Sequence, residues 1–203
     1  MLTVSGKPLL QWIIQWLKQN GVINIVIGVA YQKEKIIDYF GNGEEFGVKI
    51  NYSHHTVEGG TSEGFRFAIE RYVTDETFVA MNGDELVDIR IPELVKFHQK
   101  TGGVATIALG PLRSPYGVVD IEGDDVIGFQ EKPIIYSNYV SIGIYVFSHE
   151  ILSFLPEKGD VERICFPKLA SQRKLKAYLH RGFWATINTL KDLEEAENQL
   201  ARS

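Results

Sequence analysis

Apolar residues recur with two different periods along this chain, and the alternation between them predicts most of its elements. Leu9, Ile13, Ile14 and Leu17 recur at helical spacing with Gly21 behind them, which predicts a helix over residues 8–20. The run 23–29 is β-branched and apolar nearly throughout, as a strand covered on both faces requires. A second helix is predicted over 33–40, closed by Gly41-Asn42-Gly43, then a short strand over 48–52. A helix over 63–72, a strand over 77–81, a helix over 91–100 and a strand over 104–109 follow. Pro92 falls in the first turn of its helix, where a missing N–H costs nothing. Helix and strand in alternation are the pattern of a parallel sheet with crossover helices. The second half changes character. Segments 116–120 and 126–130 flank the polar turn Glu122-Gly123-Asp124-Asp125 and predict a hairpin. A strand over 141–147, a helix over 161–172 capped by Asp160, a strand over 175–179 and an acidic-then-basic helix over 190–202 complete the pattern. No repeat, low-complexity tract or Pro/Gly/Ser-rich linker interrupts it, so residues 1–203 are expected to form one domain.

Composition narrows the function classes. Of the 203 residues, 44% are hydrophobic and 23% charged, which is ordinary globular usage. The formal charge of −5 argues against a general nucleic-acid surface, which needs a basic stripe, but leaves room for a small anionic ligand. The single cysteine, Cys165, excludes an internal disulfide, and its neighbours Ile164 and Phe166 predict a buried thiol. The apolar stretch 9–17 is broken by Gln11 and Gln15 and is too short to span a membrane, so a cytoplasmic location is expected.

In a parallel sheet, ligands gather at the carboxyl ends of the strands. After the predicted strand 77–81 stands Asn82-Gly83-Asp84. It is either a turn or a carboxylate presented to Mg²⁺, a hard cation that takes one or two carboxylates plus substrate phosphates. Pro133 stops the second hairpin strand and leaves Glu131 and Lys132 near its tip. They are a solvated charge pair, or a point charge for a phosphate beside an acceptor for sugar hydroxyls. Gly59-Gly60-Thr61 precedes a helix, where backbone N–H groups favour anions. Neither dinucleotide nor Walker glycine signatures occur, nor a G-x-S-x-G elbow, and no pair of the five histidines has zinc-ligand spacing.

Each signal is weak alone; their order is specific. Ser5-Gly6-Lys7-Pro8-Leu9-Leu10, Gly41-Asn42-Gly43 with Phe46-Gly47-Val48, Gly60-Thr61, and Asn82-Gly83-Asp84 with Leu86 and Asp88 run in register with motifs of one family. So do Tyr116-Gly117-Val118-Val119, Phe129 with Glu131-Lys132-Pro133, Gly143-Ile144-Tyr145, and Gly182-Phe183-Trp184 with Thr189, Asp192 and Leu193. With these motifs the chain resembles the sugar-1-phosphate nucleotidyltransferases, or nucleoside diphosphate-sugar pyrophosphorylases. The resemblance implies a Rossmann-like α/β/α sandwich with a mixed, mostly parallel sheet and a small β insertion for the sugar. It also implies Mg²⁺, a nucleoside triphosphate and a sugar 1-phosphate as ligands, and it allows a homo-oligomer. It implies that Asp84 holds the metal and that Lys132 binds the sugar phosphate. Glu131 would bind sugar hydroxyls, Tyr116, Gly117 and Gly143 would shape the sugar pocket, and Gly60, Thr61 and Gly83 would line the nucleotide side.

The sequence departs from the family in three places. The family has a strand and a G-G-x-G-T-R-L phosphate loop before its G-K-P segment; Met1 stands where that segment ends, so neither is expected here. The family's second metal carboxylate falls on Thr186 in one register and on Asn188 in another, and the run Thr189-Leu190-Lys191-Asp192 fits the second better. Asn188 would then be a weakened, uncharged metal ligand. Ser62-Glu63 replaces the usual A-G beside the base, and Glu63 reads better as a helix-start acid than as a base reader. Two functions are therefore expected: a Mg²⁺-dependent nucleotidyltransferase releasing pyrophosphate, or a catalytically degenerate homologue that binds a sugar phosphate.

Overall fold

The computed structural model describes residues 2–187, Asp192 and Glu194. The helix expected over 190–202 and the candidate ligand Asn188 lie outside those residues.

Two short strands, β1 (Thr3–Val4) and β2 (Lys7–Pro8), pair antiparallel and lead into α1 (Leu9–Gln19). Then come β3 (Asn24–Val29), α2 (Lys33–Phe40), β4 (Lys49–His54), α3 (Gly60–Tyr72), β5 (Thr77–Met81) and β6 (Glu85–Val87). The chain continues through α4 (Ile91–Thr101), β7 (Ala105–Arg113), the hairpin β8 (Val118–Glu122) and β9 (Asp125–Gln130), and the long β10 (Ile134–Ser148). It closes with α5 (Val161–Ser171), β11 (Leu175–Leu179) and β12 (Trp184–Thr186).

The central sheet has the order β11-β7-β10-β5. β11 is parallel to β7, and β10 is antiparallel to both β7 and β5. Three strands therefore run one way and β10 alone opposes them, the mixed and mostly parallel sheet expected. Side chains alternate across β10 as strand geometry demands. Tyr145 and Phe147 pack with Cys165, Phe166 and Leu169 of α5 and Ile69 of α3. Ile142, Ile144 and Val146 pack with Leu94 of α4 on the opposite face. Helices thus cover both faces, and fully burying each such side chain is worth about 1.5–3 kcal/mol. The face toward α5 is aromatic: Tyr145 and Phe147 stack at 5.6 Å, and Phe166 meets Tyr145 edge-on at 5.1 Å.

A second apolar core joins α1 to β3 and β4, which pair parallel with each other. Among the described residues β3 has no partner besides β4, and β5 has none besides β10. Both strands line one groove of about 850 Å³, walled by Ile13 and Leu17 of α1 and by Phe65 and Ala68 of α3. Thr61, Asn82, Gly83 and Asp84 also line it.

Two local expectations are corrected. Asp160 stands at the N-cap position of α5, but its side chain makes no capping bond there and instead pairs with Arg163 at 3.3 Å. The orphan N–H of Val161 goes to Thr61 Oγ1, 2.9 Å away. The helix expected from residue 63 starts at Gly60, three residues earlier, and Glu63 in its first turn accepts from Thr56 in the loop before it.

Candidate active site

The strand β5 delivers Asn82, Gly83 and Asp84 to its carboxyl end. Asn82 is held there by its N–H, which donates to the carbonyl of Gly143 at 2.9 Å. The Asp84 carbonyl accepts from Ile187 N–H at 2.9 Å, which ties the motif to the chain leaving β12. Asp84 Oδ1 is buried and has no hydrogen-bond partner among the described residues. Burying a carboxylate oxygen without a donor is costly in a folded protein, so a group of this kind calls for a ligand.

Beside it lies Glu85, the first residue of β6 and only 5% exposed. Its Cα partner across the antiparallel β6–β12 pair is Thr186, whose hydroxyl lies 3.1 Å from Oε1 and 2.9 Å from Oε2. Burial pushes the Glu85 carboxyl up to about 7; the Thr186 bond opposes that shift and the neighbouring charge of Asp84 adds to it. Gly143 makes room for it. At φ +69° on an irregular stretch of β10, Gly143 has a conformation side chains rarely adopt, and a Cβ there would stand 2.7 Å from Glu85 Cγ.

The start of α3 forms the facing wall. Gly60, at φ +66°, has no space for a side chain, since a Cβ would meet the carbonyl oxygen of Gly159 at 2.6 Å. Thr61 Oγ1 accepts the Val161 N–H and donates to Glu162 Oε2 at 3.2 Å. The other Glu162 oxygen accepts from the Tyr145 hydroxyl at 3.1 Å, so one carboxylate links α3, α5 and β10. Burial, then the Glu162 charge, raises the Tyr145 phenol well above its ordinary value. Glu63 is buried and accepts from Thr56 N–H at 2.6 Å and from Thr56 Oγ1 at 2.7 Å. Those two bonds, the backbone one first, hold its carboxyl below the ordinary range. Its acceptor capacity is turned to the loop that precedes its own helix, in keeping with a helix-start role.

A second group gathers at the root of the β8–β9 hairpin. Ser114 anchors it: its N–H donates to the Pro133 carbonyl at 3.0 Å and its hydroxyl to the Tyr116 carbonyl at 2.7 Å. Gly117 packs beneath Phe129 and Glu131, whose Oε2 is 3.1 Å from where a Cβ would stand. Tyr116 is 76% exposed, and Glu131 and Lys132 are also exposed. Pro133 does end the strand: β9 stops at Gln130, and Lys132 has φ +46°. The sequence-predicted residues thus fall into two clusters, Gly60, Thr61, Gly83, Asp84 and Gly143 around the end of β5, and Tyr116, Gly117, Glu131 and Lys132 on the hairpin.

Sequence reasoning passed over Glu85 and Glu162. The three-residue strands β6 and β12 are too short to show a period, so nothing in the sequence signals that residues 85 and 186 face each other. Glu162 reads only as a first-turn acid of α5. Among the described residues, no group of three or more His, Cys, Asp or Glu side chains that could hold a metal is present. No helix among them is long and apolar enough to cross a membrane.

Comparison with known proteins gives this arrangement a family. A UTP–glucose-1-phosphate uridylyltransferase of Synechocystis sp. is 31% identical over 218 residues, covering 97% of this chain and 56% of that protein. A mannose-1-phosphate guanylyltransferase catalytic subunit beta of Dictyostelium discoideum is 31% identical over 195 residues, covering 93% and 54%. The chain therefore spans about half the length of the curated relatives it matches. The solved structure of HddC from Yersinia pseudotuberculosis has a TM-score of 0.78 at 22% identity, covering 98% of this chain and 88% of that one, a likeness that carries the fold. The family model described as Nucleotidyl transferase matches residues 1–203, and the chain belongs to that family.

Proposed function

We propose that this chain serves a nucleotidyltransferase that joins a nucleoside triphosphate to a hexose 1-phosphate or related sugar phosphate. A sugar-phosphate oxygen attacks the α-phosphorus, a new P–O bond forms, the bond to the β-phosphate breaks, and pyrophosphate leaves. Such a reaction needs positioning and charge neutralisation more than a covalent partner. The observation that carries the reading is Asp84 Oδ1, buried without a partner among the described residues, at the carboxyl end of β5 and on the lining of the groove.

The residues present fit a divalent cation, because a buried, unpartnered carboxylate oxygen is the hard donor Mg²⁺ takes. Bound there, Mg²⁺ would neutralise phosphate charge during the transfer. Asp84 holds it, with Asn188 as the further candidate ligand. Lys132 supplies a positive charge for the sugar phosphate, and Glu131 accepts from sugar hydroxyls. Tyr116, Gly117 and Gly143 shape the sugar side. Gly60 and Thr61 bound the nucleotide side, where the linkage to α5 keeps the helix start rigid. The names of the relatives include uridylyl and guanylyl transfer, so no base is assigned.

A second reading, a sugar-phosphate-binding homologue without turnover, is favoured by one observation: Thr186, facing the Asp84–Glu85 corner, is neutral. Pyrophosphate release with Mg²⁺, a panel of nucleoside triphosphates and a panel of sugar 1-phosphates separates the two. The transferase reading expects release with one pair and its loss in Asp84→Asn. Folded protein that binds a sugar phosphate but releases no pyrophosphate with any pair would establish the second.

A further inference from the structure

The corner where β6 meets β12 holds Asp84 and Glu85, and among the described residues neither acid is in an ion pair. Glu85 is 5% exposed, follows Asp84 directly in the chain, and lies close enough for the charge of one to act on the other. Its hydrogen-bond partner is Thr186, and that hydroxyl has a single proton to offer two carboxylate oxygens, which together have about four acceptor positions. A buried carboxylate left this short of donors and charge is costly unless something cationic completes it. Next to it in the chain, Asp84 Oδ1 is buried and has no hydrogen-bond partner among the described residues.

The backbone is arranged to admit the Glu85 side chain. Gly143 of β10 takes a left-handed conformation, and a Cβ there would stand 2.8 Å from Glu85 Oε1 as well as 3.1 Å from Asn82 Nδ2. Across the antiparallel pair, directly opposed residues have Cβ atoms about 4.5–5.5 Å apart. Residues 85 and 186 therefore open on the same small volume, and an acid could reach it from either strand. Here the acid stands on β6 and the neutral residue on β12.

We infer that Glu85 is the second carboxylate of the divalent-cation site, acting with Asp84 in place of an acid at position 186. The inference rests on the proposed reading of Asp84 as a cation ligand. Two carboxylates, with water and substrate phosphate at the other positions, are a normal complement for Mg²⁺. It also removes the ground for reading the neutral Thr186 as a sign of lost chemistry. Thr186 becomes a positioning residue that holds Glu85 through its hydroxyl.

The test is Mn²⁺ uptake by the full chain, followed by the paramagnetic resonance signal of the free ion, in wild type, Asp84→Asn, Glu85→Gln and the double variant Glu85→Gln/Thr186→Asp. Gln keeps an oxygen that accepts from Thr186, so a purely structural Glu85 would leave Mn²⁺ affinity unchanged. The expected result is a loss of about tenfold or more in Glu85→Gln, comparable to Asp84→Asn, at unchanged melting temperature. The double variant, with the acid moved to β12, is expected to recover most of that loss. Wild-type affinity in Glu85→Gln, with binding lost in Asp84→Asn, would overturn the role of Glu85 and leave the proposed reaction standing. Mn²⁺ uptake that depends on both acids, in a chain that releases no pyrophosphate, would support the site and sink the reaction.

Discussion

The hydroxyl of Thr61, on the first turn of α3, accepts the backbone N–H of Val161 at 2.9 Å across 100 residues of sequence. It caps a helix to which it does not belong. The same oxygen donates to Glu162, which in turn accepts from Tyr145 beneath the candidate site. Thr61→Val keeps the shape and removes both bonds. It is expected to destabilise the fold by about 1 kcal/mol, the usual worth of a helix cap. Thr61→Ser should retain most of the wild-type stability. Urea unfolding of the three proteins measures this, and a Val variant as stable as wild type would show that the cap contributes nothing.

That contact also marks the boundary of what the sequence discloses. Sequence pattern located α2, β5 and β11 at their observed bounds, because each is a short periodic or β-rich run set between clear stops. It located the hairpin, since Gly123 at φ +60° supplies the tight turn between Glu122 and Asp125. The central strand β10 was foreseen only over its buried half, 141–147. Its outer half, from Ile134, carries exposed residues such as Tyr136 and Tyr139 that read as loop. The motif residues around the end of β5 were legible because they are consecutive or glycine-marked. Contacts made by three-residue strands, such as Glu85 with Thr186, and caps supplied from a distance, such as Thr61, depend on tertiary proximity that no local pattern encodes.

Glu63 gives the fold an acid-sensitive joint. Two hydrogen bonds from Thr56 hold its carboxyl below the ordinary value of about 4.5. A group depressed in the folded state adds stability that is fully present above its unfolded value and disappears as pH falls through the folded one. Glu63→Gln is therefore expected to be less stable than wild type at pH 7, and the gap should narrow once pH drops below about 4.5. Urea unfolding of both proteins between pH 7 and pH 3 reads the gap directly. A gap independent of pH would mean that the charged form plays no part in holding the loop.

His98 gives a second acid response, with its own window. The ring is 2% exposed on α4, with Nδ1 2.9 Å from Thr106 Oγ1 and Nε2 3.0 Å from Ser148 Oγ. It joins α4 to β7 and the end of β10 with both nitrogens engaged. Burial lowers its pKa from the ordinary 6.5, because the charged ring would lose water without gaining an anion. For a base lowered in the folded state, the unfolded chain takes up the proton first, so stability falls as pH drops below about 6.5. This window lies above that of Glu63, which lets the two be told apart. Proton NMR of the imidazole should show a midpoint below 6.5. Between pH 6.5 and 5, unfolding free energy should fall more steeply in wild type than in His98→Gln, which cannot take the proton. A ring that titrates at or above 6.5, or equal slopes in the two proteins, would show that the charged form is accommodated and that His98 does not link this helix to acid stability.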